Sequence, residues 1–501
     1  MIARDRLSMT IVLAADLGGT SVKAALVTSE GHILAQTSIP APEPGVSGLI
    51  LPPEWWNRFR EAAAALKRDD EPAFKAADAI AITGVTRTPV VLDAVGNSLA
   101  GAITARDARA QDIAARTAVD SESCPEAAHY DAFHPAARLK WISQQTPQAI
   151  VHARAVVDPK DFIASRLTRR IASDPISQAR LIAAASSTDG PSLLSRLGLP
   201  EDLVPDLLPP GSVIDRVRGD ISEPFNTLAG RPVVMAAHDT WCGVLGLGAL
   251  IPGRAYNVSG TTETFGVLTT QSFKADGLMA VQWGDELHQL GGPGQNGADV
   301  LTWLGTLIGA DSQSEIAGKI ARALGQPRHE TPLIFLPYLS GERVPFWDAD
   351  LRAAFLGLSR EHGRGDLVWA ALEGVAFLNR IVLGRAESAA GIAVDEVRLG
   401  GGAARIATWA QIKADVLDRR VSTVTAEEPG VLGAAIAGFV GLRTFDTLSH
   451  AQQLLVRVAR RFEPRPHTRD FYGALGLLFE QAHDAVQPIS HGLTKLSVPS
   501  I

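Results

Sequence analysis

One stretch constrains the fold of this chain more than any other: Ile11-Val-Leu-Ala-Ala-Asp-Leu-Gly-Gly-Thr-Ser-Val-Lys23. The apolar run Ile11–Ala15 reads as a buried strand, and Asp16 stands where that strand ends. Gly18 and Gly19 let the backbone turn tightly and bring its N–H groups close to a ligand. Thr20 and Ser21 add hydroxyl donors, and Lys23 adds a charge. A strand, a glycine turn and a forward hairpin of polar donors suit a triphosphate, and the acid suits the Mg²⁺ that travels with one. An Asp-Leu-Gly turn also occurs in ordinary hairpins, so the unit has to be weighed against the rest of the chain.

The rest of the chain repeats the pattern. Ala255–Ser259 reads as a strand that ends in Gly260-Thr261-Thr262-Glu263-Thr264, an echo of the opening unit. Val397–Leu399 runs into Gly400-Gly401-Gly402-Ala403-Ala404, followed by an amphipathic helix near Ile406–Leu417. Ligands of open α/β sheets sit at the carboxyl ends of strands, so three glycine turns after three strands suggest a nucleotide held between two domains. The third turn lacks hydroxyls, and its small residues let a flat adenine lie against backbone; tight helix–strand packing is the competing explanation. Between these turns the first half alternates strands (Ala24–Val27, Ala79–Thr83, Val90–Asp93, Pro232–Ala237) with helices (Glu61–Lys67, and Asp161–Leu167 opened by Pro159). Gly433–Gly438 reads as a small-residue helix able to pack closely, and the chain beyond about Ser490 as a loose tail. The echo places the domain boundary near residue 250, giving domains 1–250 and 251–501 with the active site in the cleft between them.

A chain of 501 residues can build two or more large cores. Its net charge of −7 and lack of a basic run argue against a nucleic-acid surface. Cys124 and Cys242 make no disulfide framework and match no metal-site spacing, which fits a reducing cytoplasm. No signal peptide or membrane span is expected. Oligomeric state is left open, a homodimer being one expectation.

Asp239 follows the strand ending at Ala237 and precedes Thr240-Trp241. An acceptor hydroxyl is a poor nucleophile, and a carboxylate within hydrogen-bond reach takes its proton as the new bond forms. Asp is also an ordinary helix N-cap, and that explanation stays open. His238 reads as structural or as a sugar donor, since no partner His or Cys lies at ligand spacing. Trp55-Trp56 reads as a helix start packed on the core, Arg343 and Trp347 as interdomain or interface residues, and Glu342 as a helix cap.

The chain resembles the FGGY family of carbohydrate kinases, within the actin-like ATPase superfamily, over nearly its whole length. Asp16-Leu-Gly-Gly-Thr-Ser-Val-Lys23 resembles the family's first phosphate loop and Ser259-Gly-Thr-Thr262 its second. Thr83-Gly84 through Val90-Val91-Leu92-Asp93 resembles the early sugar-site segment, and Arg106-Asp107-Ala108-Arg109-Ala110 the segment ending in Asp-x-Arg. Ala237-His-Asp239 occupies the position of the catalytic aspartate. Tyr338-Leu-Ser-Gly-Glu-Arg-Val-Pro345 and Gly401-Gly-Ala-Ala-Arg-Ile-Ala-Thr-Trp409-Ala-Gln411, with Ala414-Asp415, resemble family signatures. The resemblance implies two actin-like (ribonuclease H-like) α/β ATPase domains with a cleft between them. It implies ATP and Mg²⁺ as cofactors and a small sugar or polyol as substrate. Asp239 becomes the general base and Asp16 the metal residue. ATP falls to Gly18, Gly19, Thr20, Ser21, Lys23, Gly260, Thr261, Thr262, Gly401, Gly402, Ala403 and Arg405, and the substrate to Thr86, Arg87, Asp107, Asp239 and Thr240.

The departures bear on substrate. Many xylulose kinases carry Gln-Met-His-Gly after the glycine of the early segment, where this chain has Val85-Thr86-Arg87-Thr88. Many members carry Trp where this chain has Ala105. The Asp107-x-Arg109 spacing and the Gly-Gly-Ala-Ala turn resemble the L-xylulose-kinase-like branch. A ketopentose such as xylulose is the leading expectation, with other ketoses and polyols (erythritol- or glycerol-like) open. Arg87 is the residue expected to shift specificity, a surface arginine being the alternative. Two rival classes exist on this fold. A sugar-responsive regulator would need a DNA-binding module, and too few residues precede Asp16 for one. A non-enzymatic ATPase that grips a protein would not need Asp239 or the Asp107-x-Arg109 segment.

Overall fold

The computed structural model describes residues 9–104, 107–117, 130–187, 190–309 and 312–496. Ala105, Arg106 and Cys124, named above, lie outside them. The chain divides into two compact units, Met1–Gly246 with Glu428–Val456 and Leu247–Glu427 with Arg457–Ile501.

The first unit is built on a six-stranded sheet. Its order is Ile33–Pro40, Ser21–Thr28, Ile11–Leu17, Ala79–Gly84, Pro232–Met235, Val213–Arg216. The Ile11–Leu17, Ala79–Gly84 and Pro232–Met235 strands run parallel at its centre, and antiparallel strands flank them. Central parallel strands are covered on both faces, so they read as nearly unbroken apolar runs. Asp16 pairs in register with Thr83, whose Oγ1 donates to the Ala237 carbonyl at 2.7 Å. These two pairings bring the carboxyl ends of all three strands level with one another.

Helix Pro429–Gly441 covers this sheet, although in sequence it lies between two strands of the other unit, Arg420–Val424 and Val458–Phe462. It is apolar all round, and its small residues admit close contact. A Cβ at Gly438 would touch Val12 and Ala81, and one at Gly441 would touch Val234. The expected domain 251–501 is therefore interrupted: Glu428–Val456 returns to the first unit, because that sheet provides the flat apolar face this helix must bury. At Gly433 a Cβ would stand 1.9 Å from the Cys242 carbonyl oxygen, on helix Asp239–Gly246. Neither backbone can yield, so Gly433→Ala should destabilise the protein by about 1–3 kcal/mol. Denaturant unfolding measures this, and an unchanged midpoint would show that the two helices are not packed in this way.

The second unit carries a seven-stranded sheet. Its order is Met279–Gly284, Leu287–Pro293, Glu263–Thr269, Ala255–Ser259, Glu396–Gly400, Arg420–Val424, Val458–Phe462. As in the first unit, a strand pairs antiparallel with its hairpin partner on one side and parallel with a later strand on the other. The echo read in the sequence is thus repeated in topology. Helix Arg364–Ala390 is long and apolar enough to cross a membrane, and most of it is buried inside this unit. Helix Ala407–Leu417 is buried nearly all round rather than amphipathic. It tolerates Lys413 because the Nζ donates to Glu263 Oε1 at 2.6 Å and Asn379 Oδ1 at 2.7 Å.

Two minor expectations are corrected. The C-terminal helix runs Arg469–Lys495, past the point where a tail was expected, because its buried face continues to Ser490. Arg343 Nη2 donates to the Gly294 carbonyl and Trp347 Nε1 to that of Gly277, both within the second unit, and the interdomain or interface role stays an expectation. Glu342 caps no helix: it is buried and accepts from the Gln295 and Arg343 backbone N–H groups and from Asn296 Nδ2, which ties two loops together.

Candidate active site

In the first unit the hairpin after Asp16 is closed by Gly18 N–H donating to the Ser21 carbonyl at 3.0 Å. Gly19 and Thr20 are exposed at its tip. Lys23 is less available than its position suggests, because its Nζ is paired with Glu428. Asp16 Oδ1 is buried without a hydrogen-bond donor. Burial pushes the Asp16 carboxyl up to about 7; the charge of Asp239 adds to the effect and that of Lys23 opposes it. An orphaned buried carboxylate oxygen is satisfied by a cation. Among the described residues no group of three or more His, Cys, Asp or Glu could hold a metal alone. A single carboxylate that leaves the remaining positions to phosphate oxygens and water fits Mg²⁺, which is seldom caged by protein.

Asp239 opens helix Asp239–Gly246, separated by three residues from the end of strand Pro232–Met235. Its Oδ1 accepts from the Thr240 N–H at 2.6 Å and from the Thr240 hydroxyl at 3.2 Å. Its Oδ2 accepts no hydrogen bond among the described residues, and the side chain is 35% exposed. The carboxylate is therefore oriented by one oxygen and open at the other. Thr240, expected to touch substrate, spends its hydroxyl on this orientation.

The Thr86–Thr88 loop is held by a residue that sequence reading passed over. Asp158 accepts from Thr86 Oγ1 at 3.1 Å and from the Thr88 N–H at 3.3 Å. Burial, with Asp161 adding, pushes its carboxyl up to about 8. Below it, Lys160 donates to Asp161 at 2.6 Å and to Asp174 at 2.8 Å. The one available sign was Asp158-Pro159 at the start of a helix. Arg87 sits in the left-handed region at φ 58, a strained conformation for arginine of the kind that collects at functional sites. Asp107 is locked to Arg109, whose Nε and Nη2 reach its Oδ2 at 2.7 and 2.6 Å while its N–H reaches Oδ1 at 2.9 Å. Burial raises the Asp107 carboxyl, but the Arg109 hydrogen bonds and charge outweigh it and hold the group below its usual range. This pair shapes the loop and leaves little of Asp107 for a substrate.

In the second unit the Gly260–Thr262 turn is closed by Gly260 N–H to the Thr262 carbonyl at 3.0 Å and pinned by Ala298 N–H to the Gly260 carbonyl at 2.7 Å. Thr261 is exposed. Val258 is in register with Gly400, so the third glycine turn adjoins this one. Gly401 has φ 79, and a Cβ there would lie 2.3 Å from the Ser259 carbonyl oxygen, so only glycine fits. Gly402 and Arg405 are exposed, whereas Ala403 is wholly buried in the core and can offer a ligand only backbone.

Comparison with known proteins matches this arrangement. The model of the FGGY N-terminal domain covers residues 11–246, and that of the C-terminal domain covers 255–442. The chain is similar to a xylulose kinase of Bacillus subtilis (24% identity, 97% of this chain and 99% of that one). It is also similar to a gluconokinase of the same organism (25%, 89% and 90%). The crystal structure of gluconate kinase from Lactobacillus acidophilus superposes with a TM-score of 0.83 at 22% identity, over 96% of this chain and 98% of that one, which supports the same mixed α/β fold. Two family models that together span most of the chain, on a fold that places their motifs at strand ends, show that it belongs to the FGGY family of carbohydrate kinases.

Proposed function

We propose that the chain transfers the γ-phosphoryl group of ATP to a hydroxyl of a small sugar, with Asp239 as the general base. The observation that carries this is the open Oδ2 of Asp239, oriented through Oδ1 and set beyond the carboxyl end of a strand parallel to that of Asp16, with Ala79–Gly84 between the two. The turns Gly18–Ser21 and Gly260–Thr262 are the proposed phosphate loops, and Gly401–Ala403 the proposed adenine-facing turn. Asp16 would hold Mg²⁺, which neutralises charge on the transferring phosphoryl group when bound. Asp239 removes the acceptor proton at Oδ2 and aims the hydroxyl oxygen; positioning supplies most of the remaining catalysis. Relatives named xylulose kinase support a ketopentose, and those named gluconokinase or glycerol kinase support a sugar acid or polyol. The expected setting is the cytoplasm. The test is ADP release with a panel of ketoses, polyols and sugar acids, with products weighed by mass spectrometry. A sugar-dependent gain of one phosphoryl group is expected; ADP release indifferent to every acceptor would overturn the reading.

A further inference from the structure

Beside the proposed base three arginines of the first unit, Arg87, Arg138 and Arg180, lie within electrostatic reach of one another. Arg87 lies within electrostatic reach of Asp239, Asp131 and Asp158, and Arg180 within reach of Arg87, Arg138 and Asp131. Arg138 is fully buried and spent on structure, donating to the carbonyls of Ala132, Arg87, Ile103 and Asp107. Arg87 and Arg180 differ from it. Among the described residues neither guanidinium makes a hydrogen bond or close ion pair, and Arg180 Nη1 is buried without a partner.

Among the described residues no surrounding acid forms a close ion pair with Arg87 or Arg180, although Asp131 lies within electrostatic reach of both and Asp239 of Arg87. Asp107 belongs to Arg109. Asp158 is bonded to the Thr86–Thr88 loop through both oxygens, and burial pushes its carboxyl up to about 8. Asp131 is the one remaining neighbour of both arginines, and its Oδ1 already accepts from the Phe133 N–H. His134 adds no charge, because burial, Arg180 and Arg87 hold it neutral, down to about 3. Its Nδ1 accepts from the Ala136 N–H at 3.2 Å.

A buried guanidinium without an acceptor is costly, and a ligand that supplies the acceptor recovers that cost on binding. A neutral ketose offers only hydroxyls. A carboxylate matches the planar fork of arginine with two parallel charge-assisted hydrogen bonds. We infer that the acceptor of this kinase is a sugar acid, its carboxylate bound by Arg180 and Arg87 and its hydroxyl chain leading to Asp239. This rests on the kinase reading above and replaces the neutral ketopentose within it.

The experiment compares kcat/KM for aldonates of five and six carbons, such as xylonate and gluconate, with xylulose, xylitol and a pentose 5-phosphate. At least one acid should exceed every neutral compound by 10-fold or more. Arg180→Gln should lower kcat/KM for that acid by roughly 10- to 100-fold, and lower it less for the neutral compounds. Calorimetric binding of the acid without ATP should weaken in parallel. Should R180Q fail to fold, Arg180→Lys and Arg87→Gln provide the same comparison, with the lysine variant retaining part of the preference. A neutral ketose or the sugar phosphate phosphorylated better than all acids would overturn this inference and leave the kinase reading standing. No phosphorylation of any compound would overturn both.

Discussion

Asp239→Asn should still bind ATP and should lose roughly 10²–10⁴-fold in sugar phosphorylation, the range that a positioned general base supplies. The substitution keeps the side chain's shape and one acceptor oxygen. In the structure Oδ1 orients the group through the Thr240 N–H and hydroxyl, and the asparagine carbonyl can take over those bonds. What disappears is the open, basic Oδ2. The competing explanation is that Asp239 only begins helix Asp239–Gly246, and asparagine serves equally well there. Initial rates at saturating substrate, with nucleotide affinity measured separately, distinguish the two. Activity within a few-fold of wild type would reduce Asp239 to a helix start.

Asp16→Ala should lose on the order of 10²-fold or more in turnover, because a metal ion stabilises transition-state charge by several kcal/mol, while sugar binding in the absence of nucleotide should persist. The Mg²⁺ requirement should also shift to higher concentration. Stability should not fall, because the removed carboxyl is one that burial disfavours in its charged form and whose Oδ1 has no donor. A melting temperature at or above that of wild type, combined with lost turnover, would separate a metal role from a structural one. Normal activity at limiting Mg²⁺ would sink the assignment.

These two aspartates were legible in the sequence for a local reason. Each follows an apolar run in a parallel strand, and the chain turns immediately afterwards, so the residue at the strand end needs no distant contact to be placed. The same holds for Gly18–Ser21, Gly260–Thr262 and Gly401–Gly402. Arg87 was visible as a departure from the family pattern, but not its left-handed backbone or its lack of a partner. Lys23 and Asp107 carry the right chemistry for ligands, yet each is paired with a charged partner, Glu428 from 405 residues away and Arg109 from two.

The sequence by itself determined the strand–turn units, their repetition in both halves, the family and the catalytic candidate, because periodicity and turn chemistry act over a few residues. Only the tertiary structure decided that Glu428–Val456 returns to the first unit, that Asp158 anchors the Thr86–Thr88 loop, and that Arg180 comes within reach of Arg87. Those depend on which buried groups find a partner, and burial and pairing are set by residues far apart in the chain.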